Sequence, residues 1–177
     1  FSALINANAH RLYSRWTHYI KSFEHSERLP EDPLPEAGNA NILVVGMGRV
    51  GMGAYDAFHD HLQKNVCGVD ADKERIVIQR QAGRHVILGD AEDPDFWAHI
   101  NLTSIRLIIF SMPNYLDSLE AVEQLKHVGY QGKTAGIAQY EDQKALLLDA
   151  GIDEVFDYFA KVGTGLAEQS IHLAEEK

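Results

Sequence analysis

The sequence predicts an α/β fold, a doubly wound parallel sheet in the strand order 3-2-1-4-5-6, with an amphipathic helix ahead of it and a further helix behind it. Three observations carry this expectation. From residue 41 onward, short apolar runs alternate with segments of helical spacing, and parallel strands need such crossover connections. The first apolar run, Ile42 to Val45, leads straight into Gly46-Met47-Gly48-Arg49-Val50-Gly51. The second stops at an acid, Asp70.

Ahead of the sheet, Ile5, Ala9, Leu12, Trp16, Tyr19 and Phe23 recur at intervals of three and four and line one helix face. Residues 1–25 therefore read as an amphipathic helix, and a basic one, because Arg11, Arg15 and Lys21 precede the first acid at Glu24. Such a helix packs on a partner or on its own domain, or lies near a membrane surface. Residues 26–40 hold three of the five prolines and four acids without periodicity. They read as a linker, since proline lacks a donor and blocks helix continuation. The first residue is Phe1 rather than Met, and the pattern opens in its middle, so the expectation is a fragment of a longer chain.

Residues 41–160 form the expected nucleotide-binding domain. Strands are expected at Ile42 to Val45, Val66 to Asp70, His85 to Leu88, Arg106 to Phe110, Thr134 to Ala138 and Glu154 to Asp157. Between them, Val50-Ala54-Ala57-Phe58-His61-Leu62 and Leu116-Leu119-Val122-Leu125 have helical spacing, and Ala145 to Leu148 runs into a stop at Gly151. Crossovers between parallel strands are right-handed, which puts the ligand crevice where the order reverses, between the first and fourth strands. Residues 161–177, with Leu166, Ser170 and Leu173 at helical spacing, read as a helix that covers its own sheet.

Composition narrows the function. A hydrophobic fraction of 45% and a charged fraction of 24% are those of a globular protein. A net charge of −10 speaks against a nucleic-acid surface, which needs a basic stripe. The single cysteine, Cys67, lies in mid-strand and reads as a small buried hydrophobe in a reducing compartment. No apolar run approaches membrane-spanning length. His59 and His61 are two apart on a helix and point to different faces, and no HExxH occurs, so no metal site is expected.

The glycine turn points to phosphate chemistry. Gly46 is placed to turn the chain sharply out of a strand, Gly48 to leave room for a pyrophosphate, and Gly51 to let helix and strand pack closely. The helix that begins there presents unpaired N–H groups and its positive dipole end to an anion. Asp70, 24 residues beyond Gly46, stands where an acid hydrogen-bonds a ribose hydroxyl. Met47, Arg49 and Val50 complete the turn, and Arg49 reads either as a phosphate partner or as an exposed turn residue. Ala71, Asp72 and Lys73 flank the ribose position or form a solvated first helical turn. Asp70 and Asp72 together make a 2′-phosphate costly, favouring NAD(H) or another adenosine nucleotide over NADP(H). The third strand ends in Gly89-Asp90-Ala91, where Gly89 permits close approach. Asp90 accepts from an adenine amino group or serves as a turn or cap residue. The fourth strand ends in Ser111 and Met112, whose hydroxyl and backbone face the pyrophosphate or the far nucleoside.

From Asn41 to about Ala160, the chain resembles the KTN/RCK (TrkA-N) nucleotide-binding domains that regulate potassium transport. The resemblance rests on Gly46 to Gly51, on Val69-Asp70-Ala71-Asp72 followed by Arg75, on Gly89-Asp90-Ala91, and on Leu148-Asp149-Ala150-Gly151-Ile152-Asp153. It implies a homodimeric domain that binds AMP, ATP or NAD(H), without catalysis, and passes the ligand's effect to a membrane potassium antiporter or channel. Within the family, the cytoplasmic domains of glutathione-regulated Kef-type efflux antiporters look closest, since they too end in a helix after the sixth strand. The resemblance then implies that the membrane part belongs to the same polypeptide, that the domain works at the cytoplasmic face of the inner membrane, and that the last helix crosses between subunits. At the end of the fifth strand the chain departs from that group: it reads Ala135-Gly136-Ile137-Ala138-Gln139 where glutathione-gated domains are arginine-rich, which speaks against control by glutathione. The alternative reading is an NAD-dependent oxidoreductase domain, which would need a general acid or base at the nicotinamide, usually on a second domain for which no room is seen after residue 160.

Overall fold

The computed structural model describes residues 36–61 and 63–175. The amphipathic helix expected over residues 1–25, and residues 26–35 of the linker, lie outside the described residues. Six parallel strands form one sheet: β1 (Ile42–Val45), β2 (Val66–Asp70), β3 (Val86–Leu88), β4 (Leu107–Phe110), β5 (Lys133–Ala138) and β6 (Glu154–Asp157). Their order is β3-β2-β1-β4-β5-β6, as expected. The helices are α1 (Arg49–Asp56), α2 (Lys73–Gln81), α3 (Pro94–His99), α4 (Tyr115–His127), α5 (Glu141–Asp149) and α6 (Tyr158–Glu175).

The burial of β1 explains why a run without polar alternation makes a strand here. All four of its residues are buried, because a parallel sheet with helices on both faces hides both sides of its central strands. Side chains still alternate between faces. Ile42 and Val44 join one core with Met47, Tyr55, Val66, Ile76 and Val86. Leu43 and Val45 join the larger one with Phe96, Trp97, Ile108, Phe110, Leu125 and Leu147. Cys67 is buried in this larger core, and burial pushes its thiol up to about 12.

β3 begins at Val86 rather than His85, whose N–H is held by the Tyr55 hydroxyl at 2.9 Å. β4 begins one residue later than expected and β5 one earlier. The helix expected to run from Val50 to Leu62 ends at Asp56 and widens into a π-helical turn over Ala57–His61. Spacing of three and four marks the face of either form, so the pattern does not separate them. α5 ends as expected: Gly151 has φ +94° and closes the helix in the left-handed region. Among the described residues, no helix is long and apolar enough to cross a membrane.

Candidate functional site

The C-terminal ends of β1, β2, β3 and β4 meet around the glycine turn, and each of its three glycines meets a different demand. Gly46 leaves β1 at φ +90° while its N–H donates to the Val69 carbonyl at 2.8 Å. A Cβ on Gly46 would lie 3.1 Å from both the backbone nitrogen and Cγ of Met112. At Gly51 a Cβ would collide with the Gly46 carbonyl oxygen and stand 2.7 Å from Ser111 Oγ, so helix and strand touch there with nothing between them. At Gly48 a Cβ would meet none of the described residues within 4 Å. On that side the described residues leave Gly48 open, and φ is an ordinary −74°.

Gly48 is the N-cap of α1, and no side chain caps that helix or puts an acid in its first turn. The neighbouring helices differ. Asp72 caps α2, Asp93 caps α3 and Asn114 caps α4, each through a side-chain oxygen that accepts a backbone N–H, and each first turn carries an acid. Uncapped N–H groups at a helix start, with the positive dipole end behind them, attract an anion. Arg49, exposed, is the first residue of that helix. Val50 beside it is 36% exposed, whereas Met47 is fully buried beneath the turn. The Met47 sulfur lies against Gly68, where a Cβ would stand 2.5 Å from it.

Asp70 is the hub of the opposite wall. Its Oδ2 accepts from the Met47 N–H at 2.7 Å and from Arg75 Nη1 at 2.9 Å, while Oδ1 accepts from the Asp72 N–H at 2.9 Å. The carboxylate is almost wholly buried and ties the glycine turn to the start of α2. Arg75 reaches it from the first turn of α2 and lies 3.5 Å from Asp72. The hydrogen bond to Asp70 holds the guanidinium above its ordinary range, and the charges of Asp70 and Asp72 add to this. Asp72 Oδ1 accepts the N–H groups of Glu74 and Arg75 at 2.9 and 3.1 Å. Ala71 and Lys73 are exposed beside it.

β3 continues the same rim, since the Gly89 N–H donates to the Asp70 carbonyl at 3.1 Å. The side of Gly89 where a Cβ would project is filled by the Phe96 ring, with Cδ2 at 2.5 Å from that point; the close approach at this glycine is that of a core side chain. Asp90 is exposed and its Oδ1 accepts the Glu92 N–H at 2.9 Å. It shapes the turn, whereas the cap of α3 is Asp93. Ala91 is buried, and its carbonyl accepts Trp97 Nε1 at 2.7 Å. Asp117 on α4 lies near enough to feel the charge of Asp90, and its carboxyl is raised above the usual range chiefly by burial.

Ser111 is buried at the end of β4. Its hydroxyl is engaged by the carbonyls of Val45 and Gly46 at 2.8 and 2.7 Å, so the donor expected to face a ligand is spent on the glycine turn itself. Met112, half-buried, closes the turn from the β4 side. The fold thus brings Gly46 to Gly51, Asp70 to Lys73, Gly89 to Ala91, Ser111 and Met112 to one edge. Arg75, seen in the sequence only as part of a resemblance, belongs with them: it lies three residues past the cap, one helical turn on, facing Asp70. Among the described residues, no group of three or more His, Cys, Asp or Glu could hold a metal ion.

Comparison with known proteins places these features in context. No curated protein matches the sequence. The family model of the TrkA-N domain matches residues 42–157. Among solved structures, the NAD(P)-binding domain of an exopolyphosphatase-related protein from Archaeoglobus fulgidus aligns with a TM-score of 0.68 at 18% identity, over 73% of this chain and 96% of that one. The TrkA-N domain of the inner membrane protein ybaL from Escherichia coli aligns at 0.64 and 22% identity, over 73% and 96%. The Kef C-terminal domain from Shewanella denitrificans, in an AMP-bound form, aligns at 0.63 and 19% identity, over 77% and 82%.

Proposed function

The chain belongs to the TrkA-N domain family, and from that membership we propose that it is a regulatory module that binds an adenine nucleotide and controls a membrane potassium antiporter or channel. The ligand is AMP, ATP or NAD(H), bound with its phosphate on the start of α1 and its ribose at Asp70. The observation that carries this reading is the helix start at Gly48, which has neither a side-chain cap nor an acid in its first turn and which the described residues leave open, whereas the next three helices are capped and α5, also without a side-chain cap, carries two acids in its first turn. A phosphate supplies the missing acceptor, and Arg49 supplies a cation at its edge. The AMP-bound Kef relative supports the choice of ligand.

In this reading the nucleotide shifts the populations of two arrangements of a homodimer, and the membrane partner, on the same polypeptide, responds to the difference at the cytoplasmic face of the inner membrane. The exposed apolar residues of α6, Phe159, Val162, Leu166, Ile171 and Leu173, support a crossing helix that pairs with a second copy through an isologous contact. The module regulates rather than catalyses, so nucleotide-dependent hydride transfer across a panel of alcohols and acids would contradict it.

The test is isothermal titration of AMP, NAD+ and NADH into the wild type and Asp70→Ala, with circular dichroism to establish that the variant is folded. Saturable binding in the wild type and a loss of roughly tenfold or more in folded Asp70→Ala are expected, the scale of a hydrogen bond to a charged group. Unchanged affinity in the variant would remove Asp70 from the site.

A further inference from the structure

Asp70 and Asp72 do not face the ribose position alone. Arg75 donates to Asp70 Oδ2 at 2.9 Å and lies 3.5 Å from Asp72 Oδ2, and its side chain is 42% exposed. Lys73 is exposed in the same helical turn. The carboxylates of Asp70, Asp72 and Glu74 make the ribose edge hostile to a further negative charge, and the cations Lys73 and Arg75 beside them offset two of the three.

The hydrogen-bond inventory of Asp70 sharpens the point. A carboxylate offers about two acceptor positions on each oxygen. On Oδ2 both are taken, by the Met47 N–H and by Arg75, while Oδ1 holds only the Asp72 N–H. A ribose diol that grips both oxygens must therefore displace a donor. The two backbone donors are fixed by the glycine turn and by the α2 cap, so the donor that can leave is Arg75. A ribose with a 2′-phosphate brings one free hydroxyl, which Oδ1 accommodates as it stands. Its phosphate would then lie beside the guanidinium. The N–H groups of Glu74 and Arg75 are already held by Asp72, so recognition of that phosphate falls to side chains.

We propose that Arg75 is the residue that sets selectivity at the 2′ position, and that it admits 2′-phosphorylated adenosine ligands to a site whose two aspartates alone would reject them. Arg75 holds Asp70 in the empty site and turns its planar fork onto the 2′-phosphate when one arrives. This inference rests on the nucleotide reading above. No bond is made or broken.

The experiment compares adenosine 5′-monophosphate with adenosine 2′,5′-bisphosphate, both of which carry the 5′-phosphate, by titration into the full chain as wild type, Arg75→Met and Arg75→Lys. In the wild type the two ligands are expected to bind within about tenfold of each other. In Arg75→Met the ratio moves against the bisphosphate by roughly tenfold or more, the loss expected for a charge-assisted hydrogen bond, while Arg75→Lys recovers part of it. A purely structural Arg75 would weaken both ligands together and leave the ratio alone. If the wild type binds the monophosphate yet rejects the bisphosphate by about a hundredfold, or if the ratio is the same in a folded Arg75→Met, the inference is overturned. Should Arg75→Met fail to fold, the ratio in Arg75→Lys decides, because loss of the fork alone still shifts it. Failure of the wild type to bind either ligand would overturn the nucleotide reading, a result recognisable by the absent monophosphate signal.

Discussion

At the scale of single residues, Gly48 and Gly51 look alike in the sequence and are opposites in the structure. A methyl group at Gly48 enters open space at an ordinary φ, whereas one at Gly51 strikes the Gly46 carbonyl and crowds Ser111. Gly48→Ala is therefore expected to melt within a few degrees of the wild type. Gly51→Ala is expected to lose roughly 1–3 kcal/mol or more, as over-packed interiors do; thermal melts of both variants check the contrast. The spacing of Gly46, Gly48, Gly51 and Asp70 was legible because it reports backbone geometry, which leaves a mark on residue type. The partners of Ser111 and Gly89 were not. Nothing in the sequence says that the serine hydroxyl turns back onto Val45 and Gly46, or that Phe96 fills the space at Gly89. Arg75 was hidden for a similar reason, since its pairing with Asp70 depends on the direction of a long side chain from a helix whose start had to be fixed first.

At the scale of elements, strand identity and order followed from alternation and handedness, and the departures were single residues at strand starts. Those starts are set by individual hydrogen bonds such as Tyr55 to His85, which leave no periodic trace. The junction of α1 with the β3 approach shows how such contacts hold elements together. Arg84 grips Asp56 with both arms of its fork, Nε to Oδ1 at 2.7 Å and Nη2 to Oδ2 at 2.6 Å. That hydrogen bond holds the Asp56 carboxyl below the usual range against the opposing effect of burial. A depressed carboxyl contributes stability above its unfolded value of about 3.9 and loses it as the pH falls through the folded value. Melting temperatures recorded from neutral to acid pH should show this loss in the wild type. The part of it due to Asp56 should be absent in Asp56→Asn, which starts lower at neutral pH; identical acid profiles would show that the pair contributes nothing, as exposed pairs sometimes do.

At the scale of the whole molecule, the sheet buries its centre, and among the described residues two surfaces stay uncovered: the rim at the C-terminal strand ends and the apolar side of α6. Leu166, at 66% exposure, stands midway along that helix. If α6 pairs with a second copy, sedimentation of Leu166→Glu will show a shift from dimer to monomer with the circular dichroism spectrum preserved; a wild type that is monomeric at the same concentration would contradict the pairing. The rim carries the central claim, that the start of α1 is a seat for the phosphate of an adenine nucleotide. The most direct measurement is calorimetric titration of AMP into the wild type and Gly48→Ala, because that substitution changes the space above the helix start and little else. Saturable binding in the wild type, weakened at least about tenfold in a variant that melts within a few degrees of it, is the expected result. Equal affinity in the two proteins would place the nucleotide elsewhere and contradict the account.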